Sequence, residues 1–404
     1  MKTVGLITEY NPFHNGHKYH IEQAKKLTKA DYVVVVMSGN FTQRGIPSII
    51  DKYTRTEIAL QCGADLVFEL PSYFATSSAE NFAYGSINIL EQLGFIDTIC
   101  FGGEYDDLNV FQTVARILNE EPKEYKELLT KALKNGDSFP TARQKALYSL
   151  LSDEEILPLL SSPNSILGIE YLKALKRLNS PIKPYILKRK GAGYSDSTLS
   201  DTSFSSATAI RAHLEEKKDF CRLSSVMPNE AFSILKQKIG QGFPILPNDF
   251  SILLYYKLRT SSKEEILQFL DVSEELADRI YKQLDKFESF EQFAIQLKTK
   301  QYTLTRINRC LLHILLNIKK PIPESSYVRL LGFRKGASFL LKQANKEKLP
   351  IITKTADAKY QLSPDSYHSF CQDIACNDLY NHIVYDKYKV KLQNEYKHPL
   401  VILP

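Results

Sequence analysis

No stretch of the 404 residues stays apolar long enough to cross a bilayer, and no basic-then-apolar leader opens the chain. Six cysteines, Cys62, Cys100, Cys221, Cys310, Cys371 and Cys376, show neither paired nor metal-type spacing, and several sit inside apolar runs as buried thiols do. Internal repeats and low-complexity linkers are absent too. These absences argue against a membrane span, a disulfide scaffold and a zinc module, and a reduced cytoplasmic protein is expected. What remains is ordinary globular text, 43% apolar and 24% charged, long enough for two or three domains.

The charge is unevenly placed. Residues 1–220 hold 25 Lys/Arg against 27 Asp/Glu, a balance of −2, whereas residues 221–404 hold 27 against 19, a balance of +8. A basic second part suggests a polyanion partner. Nucleic acid fits better than a membrane surface, because no strongly amphipathic basic helix stands out.

The chain is organised around its first turn. Val4, Leu6 and Ile7 form a short apolar strand, Asn11-Pro12 breaks it, and Tyr19, Ile21, Ala24 and Leu27 follow at helical spacing from His17. Inside the turn lies His14-Asn15-Gly16-His17. A new helix there exposes unpaired N–H groups and the positive end of its dipole, which makes a phosphate site. In nucleotidyl transfer, charge builds on the α-phosphate and the departing pyrophosphate, so fixed donors such as His14 and His17 stabilise the transition state without a protein nucleophile. Gly16 lets a nucleotide lie close to the backbone. A zinc reading has no Cys or carboxylate cluster nearby to complete it, and no metal ligand is assigned.

The alternation continues. Tyr32–Met37 reads as a central parallel strand, Leu66–Leu70 and Thr98–Phe101 as further strands, and Asp51–Cys62 and Ser77–Leu93 as helices, a βαβαβαβ order that implies a doubly wound parallel sheet. At the carboxyl end of the Tyr32–Met37 strand, Ser38-Gly39-Asn40-Phe41-Thr42-Gln43-Arg44-Gly45 is donor-rich, and Ser38, Gly39, Asn40 and Arg44 are expected to hold a small acyl substrate or a phosphate. Ser162-Pro163 opens a helix with Asn164 in its first turn, and Pro184–Leu187 is a fifth strand, followed by Lys188-Arg189-Lys190. Ser205 to Arg211 caps another helix. Arg189, Lys190, Thr208 and Arg211 are candidate phosphate contacts, arginine by its planar fork of donors.

At this point the residues match a known pattern. His14-Asn15-Gly16-His17 resembles the H-x-G-H signature of the HIGH nucleotidyltransferase superfamily, and Ser206 to Arg211 resembles its second motif, with Ser205 and Ala207 where isoleucine and serine are usual. Glu9 to His17, Ser38 to Gly45 and Phe101-Gly102-Gly103-Glu104, with Thr305 to Arg309 and Tyr327 to Phe333 further on, look together like the bacterial tRNA(Met) cytidine acetate ligase family. The resemblance implies a Rossmann-like nucleotidyltransferase fold that binds ATP, with Mg²⁺ on the leaving pyrophosphate, and activates acetate as acetyl-adenylate. It further implies passage of the acetyl group to the wobble cytidine of elongator tRNA(Met). Carried over by motif, the ATP contacts are Ile7, Thr8, Glu9, Tyr10, Asn11, Pro12, Phe13, His14, Asn15, Gly16, His17, Lys18, Tyr19 and His20, with Gly102, Asn164 and Arg189.

The expected division is an ATP and acetate domain over residues 1–222 and a mainly helical, basic, tRNA-binding domain over 223–404. On a helical wheel of Leu304 to Ile318, Ile307, Leu311, Ile314, Leu315 and Ile318 fall on one side and Arg306, Arg309 and His313 on the other. Arg329, Arg334 and Lys335, with Tyr327 and Phe333 interleaved, add cationic and stacking groups for RNA. Phe41 and Tyr194 are candidates for stacking the target base. Two alternatives stand beside this reading: another superfamily adenylyltransferase or protein-directed acetate ligase, and an RNA-binding protein with an inactive nucleotide fold. Oligomeric state is not legible.

Overall fold

The structure, a computed structural model, describes residues 1–151, 156–188, 199, 203–216, 219–323, 327–345 and 348–404. Strand β1 (Thr3–Thr8) leads into helix α1 (Asn15–Thr28), and β2 (Tyr32–Ser38), α2 (Lys52–Gln61), β3 (Leu66–Leu70), α3 (Ala79–Leu93) and β4 (Thr98–Gly103) continue the alternation. Four further helices, Leu108–Glu120, Lys123–Lys134, Phe139–Leu151 and Ile156–Ser161, precede α4 (Pro163–Arg177), β5 (Lys183–Lys188) and α5 (Ala207–Glu215). The five strands pair in the order β5-β4-β1-β2-β3, all parallel. The order reverses between β1 and β4, where a ligand cleft is expected at the carboxyl ends of the strands.

β2 lies at the centre because its β-branched run, Val33 to Val36, and Met37 after it are wholly buried. Each such side chain contributes roughly 1.5–3 kcal/mol on leaving water. No helix among the described residues is long and apolar enough to cross a membrane.

The C-terminal part is not the separate helical domain expected over residues 223–404. It includes α6 (Leu304–Leu315), but also β6 (Val328–Arg334), β7 (Ile351–Ile352), α7 (Pro364–Tyr388) and β8 (Val401–Leu403). β6 pairs antiparallel with β3 and extends the same sheet, and β7 and β8 pair with β6. A helical insertion has its own core, running from Leu254 to Ile314 through Ile280 and Phe293, and a smaller cluster gathers Tyr327, Ile352, Ala358, Phe370 and Ile374. The β6 strand hides from sequence patterning because Arg329 and Gly332 interrupt it. Arg329 is buried by pairing, and Gly332 is needed for close approach, since a Cβ there would lie 2.5 Å from the Val401 carbonyl oxygen.

The pairing is a buried network. Lys52 Nζ lies 2.8 Å from Glu69 and 3.2 Å from Glu395, and Arg329 bonds the other Glu395 oxygen. Tyr327 donates its hydroxyl to Asp373 at 2.6 Å, beside the Ser72 N–H at 2.7 Å. Desolvation pushes Lys52 down to about 8 and Asp373 up to about 6, so each charge depends on its partners. Removing Glu395 would leave two buried cations under-compensated. Glu395→Ala is therefore expected to lower the free energy of unfolding by about 3–5 kcal/mol in urea titrations. A loss under about 1 kcal/mol would mean that strand pairing alone holds the tail.

Candidate functional site

The turn after β1 is held by two arginines. Arg55, fully buried, donates to the carbonyls of Glu9 (2.7 Å), Ser38 (3.0 Å) and Ile50 (3.2 Å), and also to that of Gly39. Arg211 donates to the Asn11 carbonyl at 2.7 Å, while Asn11 Oδ1 accepts the Ile49 N–H at 2.9 Å. Between these anchors Tyr10 takes a left-handed conformation, φ 48°, which an L-residue adopts only when its surroundings impose it.

The two histidines cap α1 reciprocally. His14 is the N-cap, and its Nδ1 accepts the Gly16 N–H at 3.0 Å. His17 Nδ1 accepts the His14 N–H at 3.3 Å. An imidazole nitrogen that accepts carries no proton, so each neutral ring keeps its hydrogen on Nε2. The rings stack at 3.8 Å between centroids, and Tyr10 packs edge-on to His17 at 4.9 Å. The sequence pattern thus encodes a capping box in which the donors of both rings are set by the helix they start.

Three helix N-termini meet at this cleft. Gly16 and His17 of α1, Asn164 of α4, and Ala207 and Thr208 of α5 all line it, and no first turn carries an acidic residue. Ser206 caps α5 by accepting the Ala209 N–H at 3.0 Å, so the departure at Ser205 and Ala207 leaves the cap intact. The Thr208 hydroxyl accepts from Arg44 at 3.1 Å and from Arg211 at 3.2 Å, placing two guanidinium groups on one wall. Glu9 accepts the Gln43 N–H at 2.7 Å and fixes the loop that carries Arg44.

The other end of the cleft is apolar. Phe82, Phe101, Leu167, Tyr171 and Leu187 line it beside Gly102 and Asn164. Sequence reading missed these, although Leu167 and Tyr171 follow Asn164 at helical spacings of three and seven. Asn164 donates its amide to Glu104 at 2.7 Å, and Glu104 also accepts from Ser162 at 2.5 Å and Ser165 at 3.0 Å. Partial burial pushes the Glu104 carboxyl up, but those bonds outweigh it and hold it below the usual carboxylate range. The cleft thus joins an apolar group of side chains to cations, helix termini and two imidazoles, the surfaces that a base and phosphates need.

Of the residues expected from sequence, Ile7, Thr8, Glu9, Tyr10, Asn11, His14, Gly16, His17, Tyr19, His20, Arg44, Gly102, Asn164, Thr208 and Arg211 line the cleft. Pro12, Phe13, Asn15 and Lys18 do not. Phe13 is core, Asn15 donates to the Ser203 and Ser225 carbonyls, and Lys18 pairs with Glu230 at 3.6 Å. Arg189, Lys190 and Tyr194 lie outside the described residues.

Ser38, Gly39 and Asn40, expected to hold a small acyl substrate or a phosphate, are not among the residues that line the cleft. The Asn40 side chain joins Asn377 and the Lys52 N–H, the Ser38 and Gly39 carbonyls face Arg55, and a Cβ on Gly39 would meet Glu69 at 2.5 Å. Phe41 is buried against Phe250 and Tyr380, so it does not offer a face to a base.

The expected tRNA contacts separate similarly. Arg306 is partly exposed and stacks over Tyr302 at 4.7 Å. Arg309 is mostly covered and faces Asp271 at 3.7 Å, with its backbone against Gly45 of the Arg44 loop. At Gly45 φ is +74°, and a Cβ would lie 2.3 Å from the Arg309 nitrogen, so only glycine lets α6 sit there. His313, expected on the outer arc, is fully buried between the Leu270 and Thr76 carbonyls, each 2.9 Å from a ring nitrogen. Arg329 belongs to the buried network. Arg334 and Lys335 stand at the opposite sheet edge, where the Arg334 N–H bonds the Asp65 carbonyl just before β3 begins. Among the described residues no group of three His, Cys, Asp or Glu is placed to hold a metal ion.

Comparison with known proteins agrees with this geometry. The family described as HIGH Nucleotidyl Transferase matches residues 1–396. The tRNA(Met) cytidine acetate ligase of Caldanaerobacter subterraneus is 42% identical over 410 residues, covering the whole of both chains. That of Thermoanaerobacter sp. is 44% identical over 387 residues, covering 94% of this chain and 95% of its own. Among solved structures, Thermotoga maritima TmcAL without ligand superposes with a TM-score of 0.94 at 33% identity, and its complex with alpha-thio ATP with 0.91 at 32%, each covering all of both chains. Similarity of this extent, from one end of the chain to the other, means that the protein belongs to the HIGH nucleotidyl transferase family, within its group of tRNA(Met) cytidine acetate ligases.

Proposed function

We propose that the protein joins acetate to the exocyclic amine of the wobble cytidine of elongator tRNA(Met), using ATP and giving N4-acetylcytidine. The observation that carries this reading is the pair of Nδ1-anchored imidazoles at the start of α1, facing Arg44, Thr208 and Arg211 across one cleft. An acetate oxygen attacks the α-phosphorus, the bond to the β-phosphate oxygen breaks, and pyrophosphate leaves. The Nε2–H groups of His14 and His17 and the guanidinium groups stabilise the charge that develops on those oxygens. Mg²⁺, if bound with ATP, would neutralise charge on the leaving pyrophosphate, and among the described residues no acidic cluster is placed to hold it independently of the nucleotide.

In the second step the cytosine amine attacks the acetyl carbon. The carbon–oxygen bond to the phosphate breaks, AMP leaves with the electron pair, and the amine proton passes to AMP or water. No side chain is acylated. Arg306, on the helix whose backbone abuts the Arg44 loop, is the candidate RNA contact nearest this chemistry. A cytoplasmic setting fits six cysteines that are all free thiols.

Three outcomes test the reading. Acetate-dependent exchange of labelled pyrophosphate into ATP is expected in the parent protein and is expected to fall about 10²–10³-fold in His17→Ala. Exchange without transfer of labelled acetate to tRNA would favour a different acceptor, and no exchange with any carboxylate would favour an RNA-binding role. Long-range ¹H–¹⁵N spectra of the neutral imidazoles should show His14 and His17 as Nε2–H tautomers, and an Nδ1–H tautomer at either would contradict the capping geometry. In filter-binding titrations Arg306→Glu is expected to weaken tRNA binding by about tenfold, whereas Lys335→Glu, at the far edge of the sheet, leaves it unchanged. Equal losses in the two variants would move the RNA surface away from the cleft.

A further inference from the structure

Asn164 lines the cleft together with the apolar side chains, and Glu104, which is not among the lining residues, sets its amide orientation. One amide N–H is given to the Glu104 carboxylate at 2.7 Å, and a flipped amide would instead press its carbonyl oxygen against a carboxylate oxygen. Glu104 cannot turn to accommodate a flip, because Ser162 and Ser165 hold its other oxygen. The carbonyl oxygen of Asn164, an acceptor fixed in place, and the second amide N–H are therefore what remain for a ligand in the cleft.

We propose that Glu104 is a positioning residue for nucleotide selection: it locks Asn164 so that the cleft favours a nucleoside bearing a hydrogen-bond donor at that point, either a purine 6-amino group or a ribose hydroxyl. The inference rests on the reading of the cleft as an ATP site. The slot beside Asn164 is built from Phe101, Leu167, Tyr171 and Leu187, surfaces suited to the faces of a planar base, so the base edge is the nearer of the two sources. A 6-oxo purine would set its oxygen against the Asn164 oxygen. Two acceptors facing each other in a partly dry slot lose a hydrogen bond and leave both groups unsatisfied.

Glu104 lies at the surface with its carboxylate only partly covered, so its substitution leaves the core untouched. The test is calorimetric titration of the full chain with ATP, inosine triphosphate, 2′-deoxy-ATP and 3′-deoxy-ATP, for the parent, Glu104→Gln and Glu104→Ala. In Glu104→Ala the affinity for ATP is expected to fall about tenfold and the preference for ATP over the discriminated analogue to collapse. Glu104→Gln retains an amide oxygen for Asn164 and should restore most of both. A preference lost against inosine triphosphate identifies the base amine, and one lost against a deoxy analogue identifies the ribose. Affinity that falls equally for all four nucleotides, or selectivity untouched in Glu104→Ala, overturns the proposal. Binding reports the inference alone, while acetate-dependent exchange reports the reaction, so either can fail without the other.

Discussion

An anion can occupy the carboxyl edge of a parallel sheet only if the carbonyl oxygens that end its strands are turned to other donors. Here two arginines meet that constraint. Arg55 takes the carbonyls that end β1 and β2, and Arg211 takes that of Asn11 in the turn between β1 and α1. Burial works against the charge on Arg55, and several carbonyl dipoles compensate it. With those oxygens occupied, what the turn offers to the cleft is N–H: the first turn of α1, the N-termini of α4 and α5, and the two imidazoles. The phosphate chemistry follows from this exchange of acceptors for donors.

The same geometry ties distant chain to the site. The β2–α2 loop is held on one side by Glu9 and on the other by α7, through Asn40 to Asn377 and the Tyr380 hydroxyl to the Ser48 carbonyl. Lys52 and Glu69 are anchored by Glu395 and Arg329 from the tail. The wall that carries Arg44 is therefore framed by residues from the last fifth of the chain. Removing the tail would remove the support behind that wall.

Much of this was legible in sequence, for definable reasons. The parallel strands announce themselves through β-branched runs, and the histidine turn through its place between a strand and a helix. The cationic residues were harder. A helical wheel separates Arg309 and His313 from the apolar side of α6, but it cannot see that a second layer covers them. Ser38, Gly39 and Asn40 look like a substrate loop because their polar groups have no visible partners nearby. Those partners, Arg55 and Asn377, are supplied by the fold. β6 was missed because an arginine inside a strand reads as exposed unless its buried carboxylate is known.

The central claim is that the cleft joins acetate to AMP before any acetyl group reaches RNA. The most direct measurement uses acetate labelled with ¹⁸O in both oxygens, together with ATP and tRNA, followed by mass analysis of the AMP released. Attack on the α-phosphorus makes one acetate oxygen the bridging atom, and cleavage at the acetyl carbon leaves it on the phosphate. The account predicts AMP carrying one ¹⁸O for each acetyl group transferred. Unlabelled AMP, or label appearing in inorganic phosphate alongside ADP, would contradict it.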